Sequence, residues 1–292
     1  MNILTFDIEE WYVERAYLGG HKERYDQYDK YLGAILDLLE EREIKATFFC
    51  VGGMATYFPN VVKKIASRGH EVGCHSYQHK WLNKMSQKDV YEDTLRAIDE
   101  LEQCIGGKVK SYRAPAFSIG KDNKWAFEIL AKCGIKRDAS IFPAERDFGG
   151  FPNFGQSKPT WVFSDKTMIK EFPICTTKIR GRELAYSGGG YFRFFPLWFV
   201  KKEMHKTAYS MCYFHIGDLV PESTGLLNKS KFEEYFKIEG TLKNRILRYV
   251  KTNLGKKGAF SKMEKLIASE EFVNLEEADA MINWDDVSSV LL

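Results

Sequence analysis

Asn2-Ile-Leu-Thr-Phe-Asp-Ile-Glu-Glu10 reads as a short buried strand that runs directly into Asp7, Glu9 and Glu10. Acidic side chains at the carboxyl end of a first strand are where α/β barrels put their chemistry. The rest of the chain fits such an architecture. Further strand candidates are Ala46–Val51, His70–Cys74, Ser111–Ala114, Lys136–Ala139, Met168–Pro173 and Ser210–His215, after Ile3–Phe6. Between them lie amphipathic stretches. Tyr28–Glu43 carries Tyr31, Leu32, Ile35, Leu36, Leu38 and Leu39 at helical spacing. Asn60–Arg68 stops at Gly69, Ser86–Cys104 starts on a serine and stops at Gly106, and Lys124–Lys132 stops at Gly134. A strand-helix unit recurring every roughly 25–40 residues predicts parallel βαβ units, and about seven such strands suggest a barrel rather than an open sheet.

The regularity breaks between Ile141 and Lys166, a stretch rich in Pro, Gly and Phe, and again at Tyr186–Phe195. Gly188-Gly-Gly190 lacks the lysine and helix context of a phosphate loop and reads as a mobile, aromatic-rich substrate loop. From about Ser230 the chain turns helical and charged. The expected organisation is a barrel over 1–225, with 226–292 as a helical extension and closing segment packed on the same domain.

The chain has 292 residues and a formal net charge of +3, with basic residues scattered along it. That balance argues against a nucleic-acid partner. The basic cluster Lys251 to Lys257 reads as a solvated helix end. No apolar run approaches the roughly 18 residues that a membrane span needs. Cys50, Cys74, Cys104, Cys133, Cys175 and Cys212 form no CxxC, and several lie in apolar runs. With no signal-peptide pattern at the start, free thiols in a cytoplasmic protein are the expectation. Oligomeric state has no sequence signal.

His75-Ser-Tyr-Gln-His79 follows the third strand candidate. On one helical turn the two imidazoles would share a face and meet one ion. Neutral imidazole suits zinc or a similar divalent metal.

With Arg113-Ala-Pro-Ala-Phe-Ser118 and Tyr213-Phe-His-Ile-Gly-Asp218 added, the chain resembles the NodB-type polysaccharide deacetylases of carbohydrate esterase family 4, in particular the subgroup associated with surface or exopolysaccharide assembly. The motifs stand in family order: Thr5-Phe-Asp-Ile-Glu9, His75 to His79, Arg113-Ala-Pro-Ala116, the region near Asp138, and Phe214-His215. The resemblance spans roughly 1–220, and Phe272-Val-Asn-Leu275 resembles the closing segment. It implies a deformed (β/α) barrel and a metal-dependent deacetylation of an N-acetyl sugar of a surface polysaccharide or its precursor.

By that resemblance Asp7 is the general base, His75 and His79 are metal ligands, and His215 is the general acid. A divalent metal, zinc first, polarises the acetyl carbonyl and acidifies a bound water. Arg113 pairs with Asp7, the backbone N–H of Ala116 donates to the oxyanion, and Asp138 orients His215 or Arg113 or caps a turn. One position departs from the family. Its second aspartate is replaced by Ile8, which cannot ligate, so Glu9 is the expected third ligand, with Asp7 and Glu10 as alternatives. Trp11, Trp81, Phe117 and Trp161 are candidate sugar-stacking faces. His21, His70 and His205 lie outside these motifs and read as structural or surface residues. Two other functions fit the fold: hydrolysis of a cyclic imide or ureide, and carbohydrate binding without catalysis.

Overall fold

The computed structural model describes residues 1–146, 149–164, 167–222 and 225–291. The strands are β1 (Asn2–Ile8), β2 (Thr47–Cys50), β3 (Glu71–Cys74), β4 (Ser111–Tyr112), β5 (Arg137–Asp138), β6 (Thr160–Ser164), β7 (Thr167–Glu171), β8 (Thr176–Ile179), β9 (Arg182–Ala185), β10 (Ser210–His215) and β11 (Ser289–Leu291). All seven strands expected from the sequence are present. They lie side by side in the order β10-β1-β2-β3-β4-β5-β7, and each neighbouring pair is parallel. The result is a mixed α/β fold around a large, mostly parallel sheet.

The barrel is not closed. Among the described residues the sheet continues past β7 through β6 to β11, leaving β10 and β11 as its edges. β6 is antiparallel to β7, as a hairpin connection requires. It falls inside the expected irregular stretch Ile141–Lys166, of which Asp147, Phe148, Asp165 and Lys166 lie outside the described residues. β8 and β9 form a separate hairpin turned by Arg180 and Gly181, both at positive φ.

The helices sit where the apolar spacing put them. Lys22–Glu41 buries Leu32, Ile35, Leu36 and Leu39. Gln87–Ile105 starts on a capping box between Ser86 and Asp89 and ends at Gly106, whose φ of 68° is the left-handed cap that favours glycine. On one face of the sheet Phe6 stacks on Phe48 and tilts against Phe214. The segment after 225 adds helices Lys229–Phe236, Leu242–Asn253, Ala259–Ile267 and Leu275–Met281. Val273 then pairs with the first strand, exchanging backbone bonds with Asn2 and Leu4.

Register brings the chemistry to two adjacent rows. Asp7 on β1 is level with His215 on β10, and Ile8 with Cys50 on β2. Cys50 is level with Cys74, Cys74 with Tyr112, Tyr112 with Asp138, and Asp138 with Glu171. His75 and Arg113 each follow the last residue of a strand in this row, so the motifs converge at the carboxyl ends of the strands.

Candidate functional site

β1 ends at Ile8, and Glu9 leaves the extended conformation (φ −129°, ψ −23°) to precede the short helix Glu10–Val13. This turn of the chain, rather than strand alternation alone, carries the Glu9 carboxylate to the histidines. Its Oε2 lies 3.4 Å from His75 Nε2 and 2.6 Å from His79 Nε2. One donor atom from each of the three residues fits within a mutual spacing of 4.8 Å.

The histidine pair does not sit on a helix. Residues 75–80 form a loop in which Ser76 and His79 have φ near 60°, and the two rings meet at 5.2 Å between centroids. An i,i+4 helical turn is replaced by a loop stitched to its neighbours. Gly52 and Gly53 donate to the carbonyls of Ser76 and Tyr77, and Tyr77 N–H donates to Asp93. A Cβ on Gly53 would stand 2.4 Å from the Tyr12 ring, so the close approach needs glycine there. His75 Nδ1 bonds the carbonyl of Arg113 at 2.7 Å, which fixes its tautomer and leaves Nε2 facing Glu9.

Burial by itself would raise the Glu9 pKa. The facing imidazoles of His79, His215 and His75 outweigh it and hold the carboxylate well below its usual range. Two imidazole nitrogens and one carboxylate converging on one point form a donor set that fits zinc or another first-row divalent ion.

Arg113 is fully buried and paired with Asp7 at 2.8 Å. The same guanidinium donates to Thr5 Oγ1 and to the Ala139 carbonyl. Such a partner offsets the cost of burying a charged carboxylate. His215 stands across from it, its Nε2 3.7 Å from Asp7 and 3.9 Å from Glu9, while its Nδ1 meets Asp218 at 3.0 Å. Burial opposes protonation of this ring, but the carboxylates of Glu9, Asp218 and Asp7 prevail and raise it to about 10. Asp218 in turn meets Arg193 Nε at 3.2 Å.

Ala116 and Phe117 both hold φ of 54°, a conformation costing L-residues roughly 1–2 kcal/mol each and found mostly where function requires it. No protein acceptor for the Ala116 N–H occurs among the described residues.

Several expected residues are elsewhere. Asp138 does not reach His215. It is fully buried and accepts from the Ser140 hydroxyl and N–H, while that hydroxyl accepts from Ala114 N–H. It therefore shapes the Arg113–Ser118 turn and has no exposed surface for substrate. Phe117 offers no sugar face, because its buried ring packs edge-on against Phe142 and Tyr213. Trp11 is buried on Tyr28, and Trp161 packs against Trp284 at the far end of the sheet. Trp81 does line a cleft of about 690 Å³ that opens from His79 and is walled by Tyr77, Tyr17 and Tyr235. Glu10 does not join Glu9, His75 and His79 in their cluster. It accepts from Gly217 N–H, and burial, followed by repulsion from Glu9, raises it to about 7. Gly188 is no loose loop: it packs its backbone on the Tyr213 ring and precedes the helix Gly189–Phe194.

Asp218, Arg193, Glu171 and Tyr235 escaped the sequence reading. Asp218 had a usable signal, three residues after His215 within the same quoted motif. Glu171 had a weaker one, as an acid inside an apolar strand. Arg193 and Tyr235 are brought in by tertiary packing alone.

Comparison with known proteins adds the following. Residues 4–137 match the family model described as polysaccharide deacetylase, and residues 139–279 match one described as a domain of unknown function (DUF3473). The boundary between the two falls at β5, inside the sheet. A peptidoglycan-N-acetylglucosamine deacetylase of Bacillus cereus is 38% identical over 95 residues, 32% of this chain and 34% of that protein. A chitooligosaccharide deacetylase of Sinorhizobium fredii is 33% identical over 90 residues, 30% of this chain and 41% of that protein. The chain spans about a third or less of the length of the first curated relatives it matches. A Mycobacterium smegmatis structure described as a polysaccharide deacetylase superposes with a TM-score of 0.65 at 15% identity, covering 100% of this chain and 92% of that one.

Proposed function

We propose that the protein, whose residues 4–137 match the polysaccharide deacetylase model, is a divalent-metal-dependent hydrolase that removes the acetyl group from an N-acetylated sugar of a surface polysaccharide or its precursor. The observation that carries this reading is the convergence of Glu9, His75 and His79 beside the Asp7–Arg113 pair, with His215 within 4 Å of both acids.

Glu9, His75 and His79 would hold the ion, zinc first among the candidates. When bound, it supplies Lewis acidity towards an acetyl carbonyl and a water. Asp7 is the base that takes the proton from the attacking water, and Arg113 keeps its carboxylate matched by charge while it does so. The Ala116 N–H donates to the oxygen on which negative charge develops. His215, held by Asp218, delivers the proton that a departing amine needs. The cleft from His79 to Trp81, Tyr17 and Tyr235 accommodates the sugar, with Trp81 as its stacking face. Six free cysteines support a reducing, cytoplasmic location, and hence a precursor available inside the cell.

The test is a substrate panel with the metal-loaded protein. N-acetyl sugars and chito-oligosaccharides are followed by released acetate, and cyclic imides by ring opening. Acetate release supports the proposal, whereas ring opening without acetate release assigns the fold to the other bond.

A further inference from the structure

The helix Leu242–Asn253 buries none of its residues. Its sequence, Leu-Lys-Asn-Arg-Ile-Leu-Arg-Tyr-Val-Lys-Thr-Asn, is nevertheless amphipathic. Leu242, Ile246, Tyr249 and Val250 fall at i, i+4, i+7 and i+8 on one face, with exposures of 61, 46, 38 and 48%. Such a stripe normally turns towards a core. Here it faces outward.

The charge on the same helix is one-sided. Lys243, Arg245, Arg248 and Lys251 are all basic, and the helix contains no Asp or Glu. Exposed Lys243 flanks the stripe, while Arg245 donates to the Leu227 carbonyl and ties the other side of the helix to the protein. The end of the helix is fixed to the body of the protein, since Arg193 donates to the carbonyls of Lys251, Thr252 and Leu254. Beside that junction Leu254, Phe194 and Trp198 are more than half exposed, and Lys201 and Lys202 follow in the chain.

We propose that this helix is a docking surface for an anionic lipid bilayer, lying in the interface with its apolar stripe among the acyl chains and Lys243 and Lys251 at the headgroups. The pattern of an apolar face, a cationic polar face and exposed aromatic residues is that of interfacial helices. Charge complementarity selects an anionic surface. It also disfavours a second copy of the chain, because two such helices face to face would bring only cations together. No helix among the described residues is long and apolar enough to cross a membrane, so the contact is peripheral. The position has a consequence for substrate. Arg248 lies 4.5 Å over the Phe236 ring, and the adjoining Glu234, Tyr235 and Lys237 line the cleft that opens from His79. A glycan carried on a lipid would thus be presented next to the cleft. The docking surface itself does not depend on the deacetylase reading.

Vesicle co-sedimentation of the full chain tests this. Phosphatidylcholine vesicles containing about 30% phosphatidylglycerol are expected to carry the protein down, pure phosphatidylcholine to leave it in solution, and about 0.5 M salt to release it. Ile246→Glu with Val250→Glu should reduce the bound fraction about tenfold or more while leaving the melting temperature and hydrolysis of soluble substrate unchanged. Failure of the wild type to sediment with anionic vesicles overturns the proposal, as does undiminished binding by the double variant. A wild-type dimer in size-exclusion chromatography that the same substitutions dissolve, without vesicle binding, would assign the stripe to self-association instead.

Discussion

Two buried acid groups lie near the carboxyl ends of the strands, one row apart in register, and only one of them is ion-paired. At the β1 end Asp7 is matched by Arg113 at 2.8 Å. At the β5–β7 end Asp138 and Glu171 face each other across the register, and no ion pair to either occurs among the described residues. There burial, followed by the charge of Asp138, pushes Glu171 well above the usual carboxylate range, and burial raises Asp138 as well. The lesson is that the same residue type at the same strand ends serves two purposes. Where a guanidinium is built in beneath it, the acid is ion-paired and faces the site. Where none is provided, the acid turns inward and organises backbone, as Asp138 does through Ser140 and Ala114.

The widest gap between the two ends should appear in catalysis. His215, across from Asp7, is the proposed proton donor, and a positioned acid is worth on the order of 10²–10⁴ in rate. His215→Ala should lose that much on an N-acetyl sugar, whose amine cannot leave unprotonated, yet retain most of its activity on an activated phenyl acetate. Equal losses on both substrates, with metal retained, would make His215 a positioning or oxyanion residue.

Stability should separate the two pairs next. Arg113→Met removes the cation and leaves Asp7 buried alone, which costs roughly 3–5 kcal/mol. Urea denaturation of the purified variant reads this directly. A loss below about 1 kcal/mol would show that Asp7 does not need its partner, and the contrast between the two ends would collapse.

The smallest effect belongs to Glu171→Gln. The folded-state pKa of Glu171 is raised, so the stability linked to its proton is present below the ordinary carboxylate value and is lost as pH climbs from there towards the folded value. Glutamine has no such proton to lose. The melting temperature of the variant, measured relative to wild type, should therefore rise between about pH 5 and pH 8. A constant difference over that range would mean that Glu171 is not protonated in the folded protein.

Much of this was legible in the sequence, for identifiable reasons. Parallel strands buried on both faces write themselves as short apolar runs between amphipathic helices, which is why all seven of β1–β5, β7 and β10 could be read. β6 could not. Its Trp161-Val-Phe163 run lacks alternation and sits in a Pro- and Gly-rich stretch, and its place is decided by pairing with β7. Among the site residues, His75 and His79 were visible as a motif, but the helical geometry assigned to them was wrong. Spacing says nothing about two positive φ values. Of the alternatives for Asp138 the turn cap fits and orientation of His215 does not, because sequence order cannot show whether a side chain at a strand end points towards the cleft or into the core. Arg193 and Tyr235 come from segments far along the chain, and only packing brings them to Asp218 and to the cleft.

Glu9 is proposed as the third metal ligand at a site where Asp7 is proposed as the base. Metal content after dialysis, measured together with turnover in Glu9→Gln and Asp7→Asn, tests it most directly. The account predicts that Glu9→Gln loses its metal, because two imidazoles alone leave too few donors. Asp7→Asn should keep a full equivalent and lose about 10²–10⁴ in turnover. The opposite pattern, with metal lost in Asp7→Asn and retained in Glu9→Gln, would contradict it.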